Sequence, residues 1–240
     1  RQAMAPSLGT QANNWSNQES ARRSGFDAEI VELSNLRGDM QMKSIFKPIV
    51  PDASIADLRM HWDADRVMFT TLMGDKDRRW NVYEVKLDGT GCKKLIENEE
   101  PDLEFYDGTY LPDGRIIANS NIGYQGVPCV SGDDPVGNMV LYTPEQKNLR
   151  RLTFDQDANW NPVVMNNGRV MYTRWEYTDL THYYSRIVMH MNPDGTENKA
   201  LYGSGSMFPN STFDIQPLPG HGSAFVGIIS GHHGVARSGR

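Results

Sequence analysis

The sequence predicts an all-β protein of the β-propeller class, and three observations support this prediction. An outer hairpin recurs four times, and an apolar strand that follows a tight turn recurs beside it. The repeats begin about 50 residues apart, a spacing typical of units that bury their faces only against their neighbours. Helix-period segments of useful length are absent from the sequence. Together these patterns favour blades stacked around a common axis.

The outer hairpins consist of two strands joined by a polar turn. They run over 29–46, 82–96, 139–154 and 187–202. In the last of them Ile187, Met189 and Met191 alternate onto one face, as expected for a half-buried strand. The dipeptides Asp88-Gly89 and Asp194-Gly195 tolerate the positive φ angles of tight hairpins.

The apolar strands read DADRVMFTT, PDGRIIANS, NNGRVMYTR and, more loosely, GSAFVGIIS. The sequence therefore opens with an outer hairpin and closes with an inner strand. We expect about four blades' worth of strands over residues 27–240, within a larger propeller of roughly six to eight blades. A closed ring of four blades is the alternative. Residues 1–26 are polar, and we expect an irregular N-terminal arm there.

Composition excludes several classes of protein. The net charge is −6 and no Lys/Arg cluster is dense enough for a nucleic-acid surface. No apolar run is long enough to span a membrane. Cys92 and Cys129 form neither CxxC nor CxxCH, so zinc-finger, thioredoxin and covalent haem motifs are absent. The sequence starts at Arg1 without Met, which is compatible with removal of a signal peptide.

Two long stretches carry a resemblance to a known family. They read GYQGVPCVSGDDPVGN over 123–138 and LTFDQDANWNPVVMNNGRVMYTRWEYTD over 152–179. They resemble the middle domain of hydrazine synthase α-subunit-like proteins, and the words LPDGR and NPDGT resemble the PD40 repeats of TolB-type propellers. The resemblance implies a propeller within a larger periplasmic or extracellular protein. Without a CxxCH motif, it assigns haem ligation to no residue of this segment.

The segment 174–186 is the densest group of candidate site residues. Arginine can hold a carboxylate in a bidentate way, and histidine or tyrosine can move a proton. We therefore predict a site at a central mouth. Its predicted catalytic residues are Arg174, Glu176, His182 and Tyr183. Its predicted ligand-binding residues are Asp179 and Arg186. In the alternative interpretation Arg174 pairs with Glu176 or Asp179 and pins a loop between blades.

Two further segments interrupt the repeat. His232 and His233 lie between glycines and, with His221 or His182, could bind a divalent metal such as Mn²⁺, Zn²⁺ or Ca²⁺; ordinary loop histidines are the alternative. The insertion 123–138 is too polar and glycine-rich for a core segment, and long loops within blades are often functional. Gln125 is its predicted ligand-binding residue, whereas Asp133 and Asp134 are either a calcium pair or solvated.

Three functions follow from these patterns. The first is a non-catalytic propeller module that binds a polar or acidic small molecule, a glycan, a protein partner or other domains of its own chain. The second is a polysaccharide lyase acting on uronate-containing glycans, with arginine, histidine and tyrosine near a metal. The third is a redox subunit whose haem sites lie outside this segment. The sequence patterns are compatible with all three functions, of which the second and third are enzymatic or redox roles and the first is not.

Overall fold

A computed structural model describes residues 2–4, 23–73, 79–128, 132, 134–176, 185–204 and 211–229, with backbone only at 2–4, 176 and 185. The strands are β1 (Gln2–Met4), β2 (Phe26–Ala28), β3 (Ile30–Ser34), β4 (Gln41–Phe46), β5 (Ile55–Met60), β6 (Arg66–Leu72), β7 (Trp80–Lys86), β8 (Lys93–Lys94), β9 (Phe105–Tyr110), β10 (Ile116–Ser120), β11 (Asn138–Thr143), β12 (Asn148–Arg151), β13 (Asn159–Val164), β14 (Val170–Glu176), β15 (Ser185–Met191), β16 (Lys199–Tyr202), β17 (Thr212–Pro217) and β18 (Phe225–Ile229). A 3₁₀ turn lies at Pro144–Gln146, and no helix in these ranges is long and apolar enough to cross a membrane.

The strands form the antiparallel blades of a β-propeller, as the sequence predicts. Three sheets contain four sequential strands each, and we call them the first (β5–β8), second (β9–β12) and third (β13–β16) complete blades. Two-stranded sheets β3–β4 and β17–β18 flank them, and β1 pairs with β2. Strand β1 falls within the predicted arm, whose residues 5–22 lie outside the described ranges, so the arm stays a prediction.

Each predicted outer hairpin is confirmed by its strand pairing. The pairs are β3 with β4, β7 with β8, β11 with β12 and β15 with β16. The predicted apolar strands are β6, β10, β14 and β18. Each is the second strand of its sheet and pairs with the innermost strand.

The innermost strands β5, β9, β13 and β17 were not recognised in the sequence. Each has six residues, and the third is an aspartate or asparagine with positive φ: Asp57 (55°), Asp107 (51°), Asn161 (53°) and Asp214 (48°). The register shifts at this point in all four strands. Because a β-bulge interrupts the period-2 alternation, the hydrophobic pattern of these strands is hidden.

Apolar side chains fill the spaces between successive blades. Met68 and Val82 of the first complete blade pack with Phe105 and Ile116 of the second, and Leu141 of the second packs with Tyr172 and Met189 of the third. Each blade thus buries its faces against its neighbours, which is the physical basis of the repeat.

Candidate functional site

The third residues of the four innermost strands share one position in the repeat, and we call them the inner-strand ring: Asp57, Asp107, Asn161 and Asp214. Oδ2 of Asp57 accepts a hydrogen bond from the backbone N–H of Asp107 at 3.0 Å. Oδ2 of Asp107 accepts one from the backbone N–H of Asn161 in the next blade. Side chains at this position therefore tie successive blades together. The end of the propeller at which these strands begin is called the mouth below.

Asp107 is the most enclosed carboxyl group of the ring, with 5% of the residue exposed. Arg59 Nη2 lies 3.5 Å from its Oδ1, and Asn119 Nδ2 donates to its Oδ2 at 3.2 Å. Burial raises the pKa of Asp107 to about 7, and the negative charge of Asp57 acts in the same direction. Burial likewise raises the pKa of Asp57, with Asp214 adding to the effect. The mouth thus contains carboxyl groups that resist ionisation.

Arg174 lies at the same end of the molecule. It is on β14, directly opposite Asn159, the first residue of β13. Its Nη2 forms an ion pair with Asp155 Oδ1 at 3.0 Å. Since Asp155 precedes β13, this ion pair fixes the segment that leads from the second complete blade into the third. An acidic ligand at Arg174 would compete with Asp155.

Arg186 is enclosed by aromatic rings. Only 1% of the residue is exposed. Its guanidinium carbon lies 4.8 Å from the ring centre of Trp175, 5.2 Å from Trp160 and 5.6 Å from Phe213. These contacts stabilise the cation by its attraction to the ring faces. Ligand binding by Arg186 stays a prediction, and a ligand would have to move at least one ring to reach it.

The insertion between β10 and β11 folds onto the third complete blade. Val127 and Val136 are fully buried against Trp175, although the sequence suggested a segment too polar for the core. The backbone N–H of Val136 donates to the Gln125 carbonyl at 2.7 Å, while Gln125 itself is exposed. Gly126 is required by close approach, since a Cβ there would lie 2.3 Å from the Gly132 carbonyl oxygen. Gln125, Arg174 and Arg186 therefore belong to one end of the molecule.

Several predicted site residues lie outside the described ranges: Asp179, His182, Tyr183, His232, His233, Cys129 and Asp133. The backbone of Glu176 ends β14, at the mouth end of that strand. Roles for all of these residues stay predictions. His221, a predicted metal partner, lies in the exposed turn between β17 and β18, where its carbonyl accepts a hydrogen bond from Asn166 at 2.7 Å.

A His/Asp group with metal-ligand chemistry lies at the opposite end, in the turn between β5 and β6. Ligand atoms of His61, Asp63 and Asp65 all lie within 4.8 Å of one another. Arg66 already neutralises this group, with Nη1 2.6 Å from Asp65 Oδ1 and Nη2 2.6 Å from His61 Nε2. Nδ1 of the same ring lies 3.1 Å from the Asp63 backbone nitrogen and 3.3 Å from Asp63 Oδ2. A metal ion does not fit this group unless Arg66 leaves.

Comparison with known proteins supports the fold. No family profile matches the sequence, and no curated protein matches it significantly. A solved structure of Kuenenia stuttgartiensis hydrazine synthase is similar, with a TM-score of 0.59 and 11% identity over 73% of this chain and 29% of that chain. TolB from Acinetobacter baumannii is similar with a TM-score of 0.50 and 15% identity over 85% of this chain and 47% of that one.

The resemblance noted in the sequence, to hydrazine synthase and TolB-type propellers, is therefore confirmed at the level of the fold. The chain spans less than half the length of either structure. An oligogalacturonate lyase in complex with manganese is also similar, with a TM-score of 0.45 and 13% identity over 70% of this chain and 40% of that chain. Folds of this kind support many functions, so the comparisons define a β-propeller module and leave its ligand to the site.

Proposed function

We propose that this propeller is a binding module of a larger secreted or periplasmic protein, and that it binds a ligand or a protein partner at the mouth. The observation that carries the proposal is the inner-strand ring. Burial raises the pKa of Asp57 and of Asp107 in adjacent blades, the charge of Asp57 adds to the shift at Asp107, and the charge of Asp214 adds to both shifts. Repelling, desolvated groups cost stability, and such clusters are more common at functional sites than elsewhere.

The connections at this end support the same location. The insertion with Gln125, the end of β14 with Arg174 and the start of β15 with Arg186 all lie there. Loops held on a rigid sheet framework are the usual carriers of binding residues. The partner is either another domain of the same chain or a separate protein, and a small molecule or glycan is the alternative occupant.

The charges at the mouth favour a cationic or hydroxyl-rich group over an acidic one. Arg59 is the cation that acts on Asp57 and Asp107, and the Arg174 guanidinium is already paired with Asp155. A cation would relieve the repulsion between the carboxylates, whereas an anion would add to it. The acidic ligand expected from the sequence would depend on residues outside the described ranges, as would the lyase and redox alternatives.

A pair of isosteric substitutions tests this proposal. Asn161 shows that an amide occupies this position with the same φ, so Asp57→Asn and Asp214→Asn should fold normally. We expect spermidine, a cationic probe, to raise the thermal midpoint of the natural protein and to lose most of this effect in the double variant. Trigalacturonate, an acidic probe, should raise neither midpoint.

Co-purification from the native source provides the second arm. A stoichiometric protein partner whose retention is lost in the Asp57→Asn/Asp214→Asn variant would also support the proposal. The proposal is wrong if spermidine acts equally on both proteins and no partner depends on the ring. Formation of unsaturated uronate products from trigalacturonate, detected by their ultraviolet absorbance, would instead favour the lyase.

A further inference from the structure

A groove between the first and second complete blades opens at the end of the propeller opposite the mouth. It has a volume of about 910 Å³, which is within the range of small-molecule sites. We call it the turn-side groove. Its walls come from the turns after β5 and β9, from β7 and β8, and from the turn after β11. Its lining residues include Trp62, Lys86, Lys93, Lys94, Pro112 and Lys147.

The carboxylates that line the turn-side groove are already neutralised by neighbours. Glu84 accepts hydrogen bonds from Tyr110 Oη at 2.8 Å and from Arg66 Nε at 3.2 Å, and Lys93 Nζ lies 3.4 Å from it. Lys147 pairs with Glu97 at 2.6 Å. The acidic side chains of the groove are therefore committed to internal partners.

Two cations of the groove have no such partner. Neither Lys86 nor Lys94 forms an ion pair within 4.0 Å with any residue in the described part of the chain. Partial burial lowers the pKa of the Lys94 ammonium, although the charge of Glu97 opposes this effect. Five cationic side chains and four carboxylates line the groove, so its charge is positive on a protein whose net charge is −6.

The groove also offers apolar surface. Trp62 is 57% exposed, and Pro112, Pro144 and Leu95 line the wall with it. An exposed tryptophan and unpaired lysines that line one groove suit a ligand that combines an aromatic or aliphatic body with an anionic group, because the ring can pack against the body while an ammonium holds the charge.

We propose that the turn-side groove binds a small organic anion with an apolar or aromatic body. Lys86 and Lys94 hold the anionic group, and Trp62 packs against the body. The site is independent of the mouth, since it uses the turns at the other end of the innermost strands. It is also independent of the His61/Asp63/Asp65 group, because Arg66 already pairs with that group.

Calorimetric titration of the full chain with 2-naphthoate tests this proposal, with neutral 2-naphthylmethanol as the matched probe. We expect the anion to bind more tightly than the alcohol. The double variant Lys86→Glu/Lys94→Glu should lose at least about tenfold in affinity for 2-naphthoate, the loss expected when a charge-assisted contact becomes repulsive. Its affinity for the alcohol should stay within about twofold. Trp62→Ala should weaken the binding of both probes.

Lys199→Glu is the control variant. Lys199 begins β16, the outermost strand of the third complete blade, as Lys93 begins β8 in the first. This variant should bind 2-naphthoate like the natural protein, and circular dichroism should show that all variants are folded. Equal affinities for the anion and the alcohol would overturn the proposal. So would unchanged anion binding in the double lysine variant, or no saturable binding by the natural protein. The Asp57→Asn/Asp214→Asn variant should bind 2-naphthoate normally, which separates this test from that of the mouth.

Discussion

The two ends of the propeller shift the pKa values of their carboxyl groups in opposite directions. At the mouth, Asp107 accepts hydrogen bonds from Asn161 N–H and Asn119, faces Arg59 at 3.5 Å, and lies close to the charge of Asp57. At the turn end, hydrogen bonds from Arg115 and Lys147 lower the pKa of Asp113 and of Glu97. Burial among like charges raises the pKa of Asp107. At the turn end, close cations lower the pKa values of Asp113 and Glu97 instead.

This contrast arises from the position of each residue in the repeat. Innermost strands converge, so identical side-chain positions from successive blades come close together and repel if they are charged. At the turn end, Asp113 pairs with Arg115 of the same turn, and Glu97 pairs with Lys147 of the next blade. The same repeat therefore places carboxyl groups with raised pKa values at one end and paired carboxylates with lowered pKa values at the other.

Replacing Arg66 with methionine should give the largest loss of stability. Glu84 is 8% exposed and would lose its guanidinium partner, with only Tyr110 and Lys93 left to it. Because an unpaired buried charge is costly, we expect a loss of about 2 kcal/mol in the free energy of unfolding, measured by urea denaturation.

Arg115→Met provides the matched control for this prediction. Arg115 occupies the same turn position in the second complete blade, but it pairs with Asp113, whose side chain is 52% exposed. Its loss should stay within about 0.5 kcal/mol. Equal losses in the two variants would show that Glu84 does not depend on Arg66.

Replacing Asp107 with asparagine should change the dependence of stability on pH. The pKa of Asp107 is about 7 in the folded protein against an ordinary value of 3.8, so the folded state binds the proton more tightly. This stabilising contribution is complete below about pH 4 and is lost as the pH rises through 7. At about 1.4 kcal/mol per pKa unit, Asp107→Asn should therefore gain on the order of 4 kcal/mol over the natural protein at pH 8 relative to pH 4.

Asp113→Asn should show the opposite trend in the same urea titrations. The hydrogen bond from Arg115 lowers the pKa of Asp113, so its contribution is present above the ordinary pKa and is lost as the pH falls. The variant should therefore fall behind the natural protein at neutral pH and match it in acid. If the stability of the two variants relative to the natural protein changed with pH in the same direction, the two ends would not differ in how they shift carboxyl pKa values.

Among the substitutions at Arg66, Asp107 and Arg174, Arg174→Gln should change the free energy of unfolding least. The ion pair with Asp155 is partly exposed, with 30% and 15% of the two side chains accessible. We expect a loss of about 0.5 kcal/mol in the free energy of unfolding. Arg150→Gln, which removes a surface hydrogen bond to the Asp194 carbonyl, is the control and should lose less. A loss above about 2 kcal/mol would show that Arg174 holds more than this connection.

The sequence predicted the outer parts of each blade well, and the reason is local. Hairpins such as 187–202 combine period-2 alternation with an Asp-Gly turn, and both signals lie within one short segment. Innermost strands were missed because the bulge at Asp57, Asp107, Asn161 and Asp214 breaks their alternation. An aspartate or asparagine about every 50 residues was the available signal, and it becomes visible only when the repeats are aligned.

The candidate site was predicted less completely. Arg174 and Arg186 were identified, but the pairing of Arg174 with Asp155 depends on how the chain returns from β12 to β13. The aromatic enclosure of Arg186 brings together Trp160, Trp175 and Phe213 from three strands of two sheets. Val127 and Val136 appear solvated in the sequence because their partner, Trp175, belongs to another blade.

The sequence by itself determined the propeller class, the phase of the outer hairpins and the segments that interrupt the repeat, because these follow from side-chain period and turn chemistry within single segments. Only the tertiary structure decided which charges meet. The inner-strand ring and the turn-side groove both lie between blades, where residues about 50 positions apart become neighbours. Their pKa values and pairings depend on distance and burial, which no local pattern encodes.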